Sequence, residues 1–192
     1  MKERIGMDVI QAIKERRAYR SLEKVEINES LREDLARCAQ LAPSCFNNQP
    51  AKFVFVFEER VLKEMHSALS SGNEWAREAS LIVAVFSKKE DDCIIKDRIY
   101  NEFDCGLATA FLILRATELG LVAHPIAGYS QKKVKEILKI PEDYSVITLV
   151  IMGKHAELLN PVLSSKQVEW EKKRPERKPL KEIMFLNTFK NE

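Results

Sequence analysis

The sequence predicts an α+β fold, and three observations carry that reading. Apolar residues recur at spacings of three and four in several segments of helical length. Short runs rich in aromatic and β-branched residues, at 52–57, 81–86 and 146–152, have the length and content of strands. Between them lies a segment, residues 105–114, that is apolar all round and flanked by charge. The order is helix, helix, strand, helix, strand, long helix, loop, helix, strand and tail.

From the N-terminal side, Asp8 suits the cap of a first helix, and Gln11 three residues on completes a capping-box pattern. Val9, Ile10 and Ile13 give this helix an apolar side. It runs into Arg16, Arg17, Ala18, Tyr19 and Arg20. Cations at a helix end oppose the negative end of its dipole. Guanidinium groups also bind phosphate bidentately, so an anion site is the functional reading of the cluster. Asn28 starts a second helix through Leu31, Leu35, Cys38, Ala39 and Ala42, and Pro43 ends it. Residues 43–50, PSCFNNQP, then place Ser44, Asn47, Asn48 and Gln49 between two prolines. They read as a polar turn, or as donors and acceptors arranged for a heterocycle. The first strand follows at 52–57.

Val61, Leu62, Met65 and Leu69 mark a short helix over 61–70, broken at Ser71, Gly72 and Asn73. The run 81–86 is continuously apolar, as a central strand covered on both faces would be. A charged turn at 88–92 leads to the long helix. Within 105–114 only Thr109 carries a hydroxyl, so no face is left for water and the helix is expected to be buried on all sides, as a core helix or an oligomer seam. It is too short to span a bilayer, which takes about 20 apolar residues. Gly120 suits its C-terminal end. Residues 124–129, HPIAGY, read as a turn-rich loop held by that helix, a good place to present backbone groups to a ligand. Ser130 caps a helix through Val134, Ile137 and Leu138. The last strand is 146–152. Beyond Asn160 regular patterning is lost. Residues 183–186, IMFL, form a lone apolar arm of the kind that adds a strand to another sheet, here that of a second subunit.

The 192 residues fit one domain over 1–192, with an extended arm from about 160. Hydrophobic residues at 45% supply enough apolar mass for a core, and a net charge of +2 argues neither for nor against a nucleic-acid partner. The charged first twenty residues contain no secretory h-region, so the expected setting is cytoplasmic, with reduced thiols and no membrane association. Cys38, Cys45, Cys93 and Cys105 form no CxxC pair. With His66, His124 and His155 they make no zinc pattern, and no metal is expected. GxGxxG, GxxxxGK[ST] and GxSxG are all absent. The basic segment 166–181 is diluted by Glu169, Glu171 and Glu176 and offers only Trp170 for stacking, which ranks a nucleic-acid module last.

Four motifs in order, RRAYR, PSCFNNQP, DCGLATAFLILRATELGL followed by HPIAGY, and the Arg177-Lys178-Pro179-Leu180 stretch with Ile183, resemble the nitroreductase family of FMN-dependent oxidoreductases over nearly the whole chain. The resemblance implies a mixed sheet flanked by helices in an intertwined homodimer with exchanged C-terminal arms. It implies FMN at each of two interface sites. By position, Arg16, Arg17 and the neighbouring Ala18 would hold the FMN phosphate, with Arg177 closing the site from the tail. Arg20 would reach the ribityl chain or the pyrimidine edge. Pro43, Ser44 and Asn47 would come from the partner subunit. Asn73 would match an asparagine at the flavin ring. Pro125, Ile126 and Gly128 would match the loop beside the isoalloxazine.

The implied activity is electron transfer from NAD(P)H to nitroaromatic, quinone or related small acceptors by a ping-pong mechanism. The flavin carries the chemistry and no side chain is a nucleophile. A flavin-binding dimer without efficient turnover, reductive dehalogenation and flavin fragmentation stay open as alternatives. The chain departs from the family's commonest pattern in three places. Ala18 stands where a serine hydroxyl would meet the phosphate, Ala51 where an aromatic often follows QP, and Ala127 where a glutamate is frequent.

Overall fold

The computed structural model describes residues 7–189. In chain order its elements are α1 (Val9–Glu15), β1 (Leu22–Glu23), α2 (Glu29–Gln40), β2 (Lys52–Val56), α3 (Glu59–Met65), β3 (Leu81–Ser87), β4 (Ile94–Ile95), β5 (Arg98–Ile99), α4 (Asn101–Glu118), β6 (Val122–Ile126), α5 (Gln131–Leu138), β7 (Ser145–His155) and α6 (Ser165–Lys172). The expected α+β architecture is there. Strand β7 is the centre of the main sheet. It pairs with β3 on one side and β6 on the other, β2 lies outside β3, and the two-residue β1 joins the end of β7. The sheet was expected to be mixed. Every strand pair among the described residues is antiparallel, because each sequential crossover returns the chain alongside β7 or β3 in the opposite sense.

Alternation along the strands divides the core in two. Leu81, Val83 and Val85 of β3, with Val150 and Met152 of β7, face Leu35 and Ala39 of α2 and Cys105, Leu112 and Ala116 of α4. Ile82, Ala84, Leu149 and Ile151 face the other way, onto Leu62 and Met65 of α3, Trp75 and Val134 of α5. The strand is therefore covered on both faces, as its continuous apolar run requires.

Local signals set most helix ends. Asp8 accepts the Gln11 N–H at 2.7 Å, while the Gln11 side chain turns to Glu15, so only half of the capping box forms. Asn28 and Ser130 cap α2 and α5 as expected. Gly120 takes φ 77°, and the chain reverses there into β6.

The structure differs from the sequence reading elsewhere. Helix α4 is not buried on all sides: Phe103 and Phe111 are 61% and 39% exposed, on the side away from the sheet. The segment 124–129 begins as strand, because His124, Pro125 and Ile126 pair with Ile151, Val150 and Leu149, and only Ala127 and Gly128 turn. The hairpin of β4 and β5 and the whole of α6 lie in stretches read as irregular. The arm at 183–186 makes no strand and is exposed. Cys45 and Cys93, expected as thiols, are joined in a disulfide across a Cα separation of 6.0 Å. The fold brings the 43–50 loop against the start of the β4 hairpin, which sequence spacing could not reveal. No helix among the described residues is long and apolar enough to cross a membrane.

Candidate functional site

The basic run after α1 does not point into solvent. It turns across the end of β7 and meets α6, and together they enclose a small cleft of about 130 Å³ lined by Arg16, Arg17, Ala18, Arg20, Trp170 and Arg174, with Pro175 and Arg177 closing it. Among the described residues no carboxylate lines it. Burial, then the charges of Arg174, Arg177 and Arg17, pull the Arg16 guanidinium below its ordinary range. Like charges crowded in one cleft raise each other's energy until an anion enters. A cleft of this size and sign fits a phosphate group.

Three side chains hold the cleft. Arg17 Nη2 donates to the carbonyls of Trp170 at 2.7 Å and Glu171 at 3.1 Å, at the end of α6 where free carbonyls are expected. Arg174 Nη2 donates to the carbonyls of Lys14 and, at 2.8 Å, Arg16. The buried Glu171 carboxylate accepts the backbone N–H of Arg20 at 2.6 Å and of Ser21 at 3.2 Å. Trp170, Glu171 and Arg174 were not among the sequence candidates. The signals were a capping box at Ser164 and Gln167, which α6 uses, and an isolated tryptophan in a basic segment.

Arg20 links this cleft to the glycine loop. Its guanidinium carbon lies 5.4 Å from the Trp170 ring centre and 5.8 Å from that of Trp75, and its Nε is buried with no acceptor. Burial lowers its pKa, against the pull of Glu171. Trp75 Nε1 donates to Asn73 Oδ1 at 3.3 Å, and Asn73 Nδ2 donates to the Gly128 carbonyl at 2.9 Å. A Cβ on Gly128 would stand 2.3 Å from Asn73 Nδ2, so a larger residue here would push the Asn73 amide off the Gly128 carbonyl. Pro125 is exposed beside it. Ile126 is buried in the core, and its carbonyl accepts from Thr148 Oγ1 at 3.0 Å. Arg16, Arg17, Ala18, Arg20 and Arg177 thus come together, and Asn73, Pro125, Ile126 and Gly128 form a second group joined to them through Trp75.

Pro43, Ser44 and Asn47 do not join either group within one chain. Pro43 and Ser44 line a separate cleft of about 490 Å³ between α2, α4 and the start of β2. Ser44 Oγ accepts the Gln49 N–H at 2.9 Å, and Asn47 is exposed with φ 59°.

His124 sits behind the site, stacked on Trp75 with ring centres 4.7 Å apart, its Nδ1 3.0 Å from the Tyr19 carbonyl. Burial pulls its pKa down to about 4, against the Tyr19 hydrogen bond and with Arg20 and Arg16 adding to the shift. It is therefore neutral, with the proton on Nδ1. In the unfolded chain a histidine titrates near about 6.5. Between those values the unfolded state binds a proton that the folded state does not. The contribution is full above about pH 6.5 and is lost as pH falls toward 4, by about 3 kcal/mol. Urea titrations across this range are expected to show that loss, and His124→Phe to flatten it. An unchanged slope in the variant would assign the acid sensitivity to other groups.

Residues 13–154 match the sequence pattern of the nitroreductase family. The chain belongs to that family. A relative from Archaeoglobus fulgidus, provisionally named NADH dehydrogenase/NAD(P)H nitroreductase, is 29% identical over 76% of this chain and 84% of its own. A solved oxidoreductase containing FMN superposes with a TM-score of 0.83 at 25% identity, over 94% of this chain and 92% of that one. A nitroreductase solved in complex with FMN from Exiguobacterium sibiricum has a TM-score of 0.76 at 22% identity, over 94% and 97% of the two chains, and shares the fold. The nitroreductase-like chain is thus an oxidoreductase by family and by architecture.

Proposed function

We propose that this nitroreductase-family chain is an FMN-dependent oxidoreductase that passes electrons from NAD(P)H to nitroaromatic, quinone or related small acceptors in a ping-pong cycle. The observation that carries the reading is the carboxylate-free arginine cleft with the orphaned Arg20 Nε beside it. The fit to FMN is specific at both ends. The cleft suits a terminal phosphate, and a buried N–H without an acceptor, in line with the Asn73 and Gly128 group, suits the polar edge of a flavin. Arg16, Arg174 and Arg177 hold the phosphate, with Arg17 bracing the wall and Ala18 leaving room in it. Arg20 faces the ribityl chain or pyrimidine edge. Asn73, Pro125 and Gly128 lie along the ring, and Ile126 contributes backbone position only. When bound, FMN supplies the redox chemistry, taking hydride from the nicotinamide and giving electrons to the acceptor. A guanidinium at the pyrimidine edge favours the reduced, anionic form.

The active form is a homodimer. Pro43, Ser44 and Asn47 serve the flavin of the other subunit, which accounts for their distance from the arginine cleft within one chain. Residues 1–192 form one domain whose segment from about 160 ends in an arm reaching to the partner. Reduction by a nicotinamide is consistent with the cytoplasmic setting expected from the sequence.

Mass spectrometry of the cofactor released from the purified protein is expected to find FMN, and anaerobic NAD(P)H to bleach its visible bands. FAD, or no flavin at saturating FMN, would overturn the cofactor reading. Bound FMN that no nicotinamide bleaches would favour a binding protein without turnover.

A further inference from the structure

The Arg20 side chain is held by aromatic faces and not by acceptors. Its guanidinium carbon lies 5.8 Å from the ring centre of Trp75 and 5.4 Å from that of Trp170, both within reach of a cation over a ring. Trp75 is fixed: it is 1% exposed, its ring is stacked on His124, and its Nε1 donates to Asn73 Oδ1. Trp170 is half-buried and is placed by its helix. Toward the start of α6, Gln167 Nε2 donates to the Gly72 carbonyl at 2.9 Å, next to Asn73. Toward its end, the carbonyls of Trp170 and Glu171 accept Arg17. A contact through the face of a guanidinium leaves its in-plane N–H groups free. That is the arrangement at Arg20. Its Nε is buried and meets no acceptor among the described residues, while the neighbouring Glu171 carboxylate is taken up by the backbone N–H groups of Arg20 and Ser21. A carboxylate in place of the two rings would neutralise the charge and occupy the donors. The family pattern covers residues 13–154, so Trp170, one side of this clamp, lies outside it.

We propose that Trp170 is a positioning residue: with Trp75 it clamps the Arg20 guanidinium, and so holds a positive charge and a free N–H at the polar edge of the flavin, where they set how strongly the site favours the reduced cofactor. This deepens the FMN reading above and rests on it. An arginine on a free stem spreads its charge over several rotamers, whereas two ring faces confine it to one arrangement. A fixed cation at that edge stabilises the reduced, anionic form more than the oxidised form. Only such a difference between the two forms moves their equilibrium, since binding energy common to both cancels. The phosphate contacts of Arg16, Arg174 and Arg177 are of the common kind. Loss of the Trp170 ring therefore falls mainly on the reduced form, while the Trp170 carbonyl that accepts Arg17 stays in place.

The test uses the full chain loaded with FMN. The midpoint potential of the bound flavin is read against reference dyes, and FMN affinity is read from the quenching of tryptophan emission. Trp75 and Trp170 are the chain's two tryptophans, so that emission comes from the clamp itself. Trp170→Leu is expected to weaken the hold on reduced FMN about tenfold more than the hold on oxidised FMN, a fall in potential of about 30 mV. Trp170→Phe keeps an aromatic face and is expected to recover most of the difference. In an Arg20→Met background, Trp170→Leu is expected to add no further shift, because its effect passes through Arg20. Trp170→Met serves as the second variant if the leucine chain fails to fold. An unchanged potential in Trp170→Leu, an equal loss in Trp170→Phe, or a full shift without Arg20 would each overturn the clamp and leave the flavin reading standing. A parent chain that takes up no FMN would overturn both.

Discussion

Glu171→Ala is expected to lower the melting temperature by about 10 °C and to weaken FMN binding by more than about tenfold. The Glu171 carboxylate is buried and accepts two backbone N–H groups, from Arg20 and Ser21. Ser21 is itself only 1% exposed, so water cannot replace the lost acceptor there. Removing a charged acceptor from two such groups costs about 3 kcal/mol. In a chain of this length each kcal/mol is worth about 2–4 °C. The same carboxylate fixes the backbone of Arg20 while the backbone of α6, at Trp170 and Glu171, receives Arg17. Loss of Glu171 therefore loosens both walls of the arginine cleft at once. Thermal melts and FMN fluorescence titrations on the same preparation measure the two effects. Glu171→Gln keeps one carbonyl acceptor and is expected to fall between. A melt within about 1 °C of the parent would show that Arg20 and Ser21 are held by something else.

That residue was not legible in the sequence, while much of its surroundings was. The arginines after α1 were identified by type, since a cluster of guanidinium groups carries an anion-binding meaning wherever the chain puts it. Strand β3 was legible because it is apolar at every position, and the caps at Asp8, Asn28 and Ser130 because each depends on residues a few positions away. Glu171 gained its role only when α6 crossed back over the N-terminal segment, 150 and 151 positions distant in sequence from its two donors. The Cys45–Cys93 bond has the same character, with a separation of 48. The glycine loop lay between these cases. Gly128 stood out, but the side chain that a Cβ there would displace is Asn73, 55 residues earlier. The start of that segment was misread because Pro125 suggests a turn, and the backbone of β7 was not yet there to pair with it.

Helix α4 connects that lesson to assembly. Its apolar perimeter fits a core helix or an oligomer seam, and Phe103 and Phe111 face outward in the single chain. Val9, Ile10 and Ile13 of α1 are exposed at 67%, 59% and 50%. Contiguous exposed apolar surface on a folded chain marks an interaction face. In the homodimer proposed above, a second copy of the same chain would cover these faces.

Deleting the chain after Glu182 is the second large effect expected, and it tests that assembly directly. The arm carries Ile183, Met184, Phe185, Leu186 and Phe189, exposed at 61%, 56%, 40%, 76% and 69%. The rings of Phe185 and Phe189 pack on each other, with centres 4.5 Å apart. Burial of Phe185 and Leu186 alone against a partner is worth about 3 kcal/mol at the low end. Removing the arm is then expected to raise the dimer dissociation constant by about a hundredfold. FMN occupancy is expected to fall with it, because in the proposed dimer Ser44 and Asn47 reach the flavin only across the interface. Arg177 remains in the truncated chain, so lost flavin reports assembly and not a lost phosphate contact. Sedimentation read at the flavin absorbance band measures mass and occupancy in the same cell. A truncated protein that sediments as a monomer with full FMN would place the whole cofactor site within one chain, and the shared site would have to be given up.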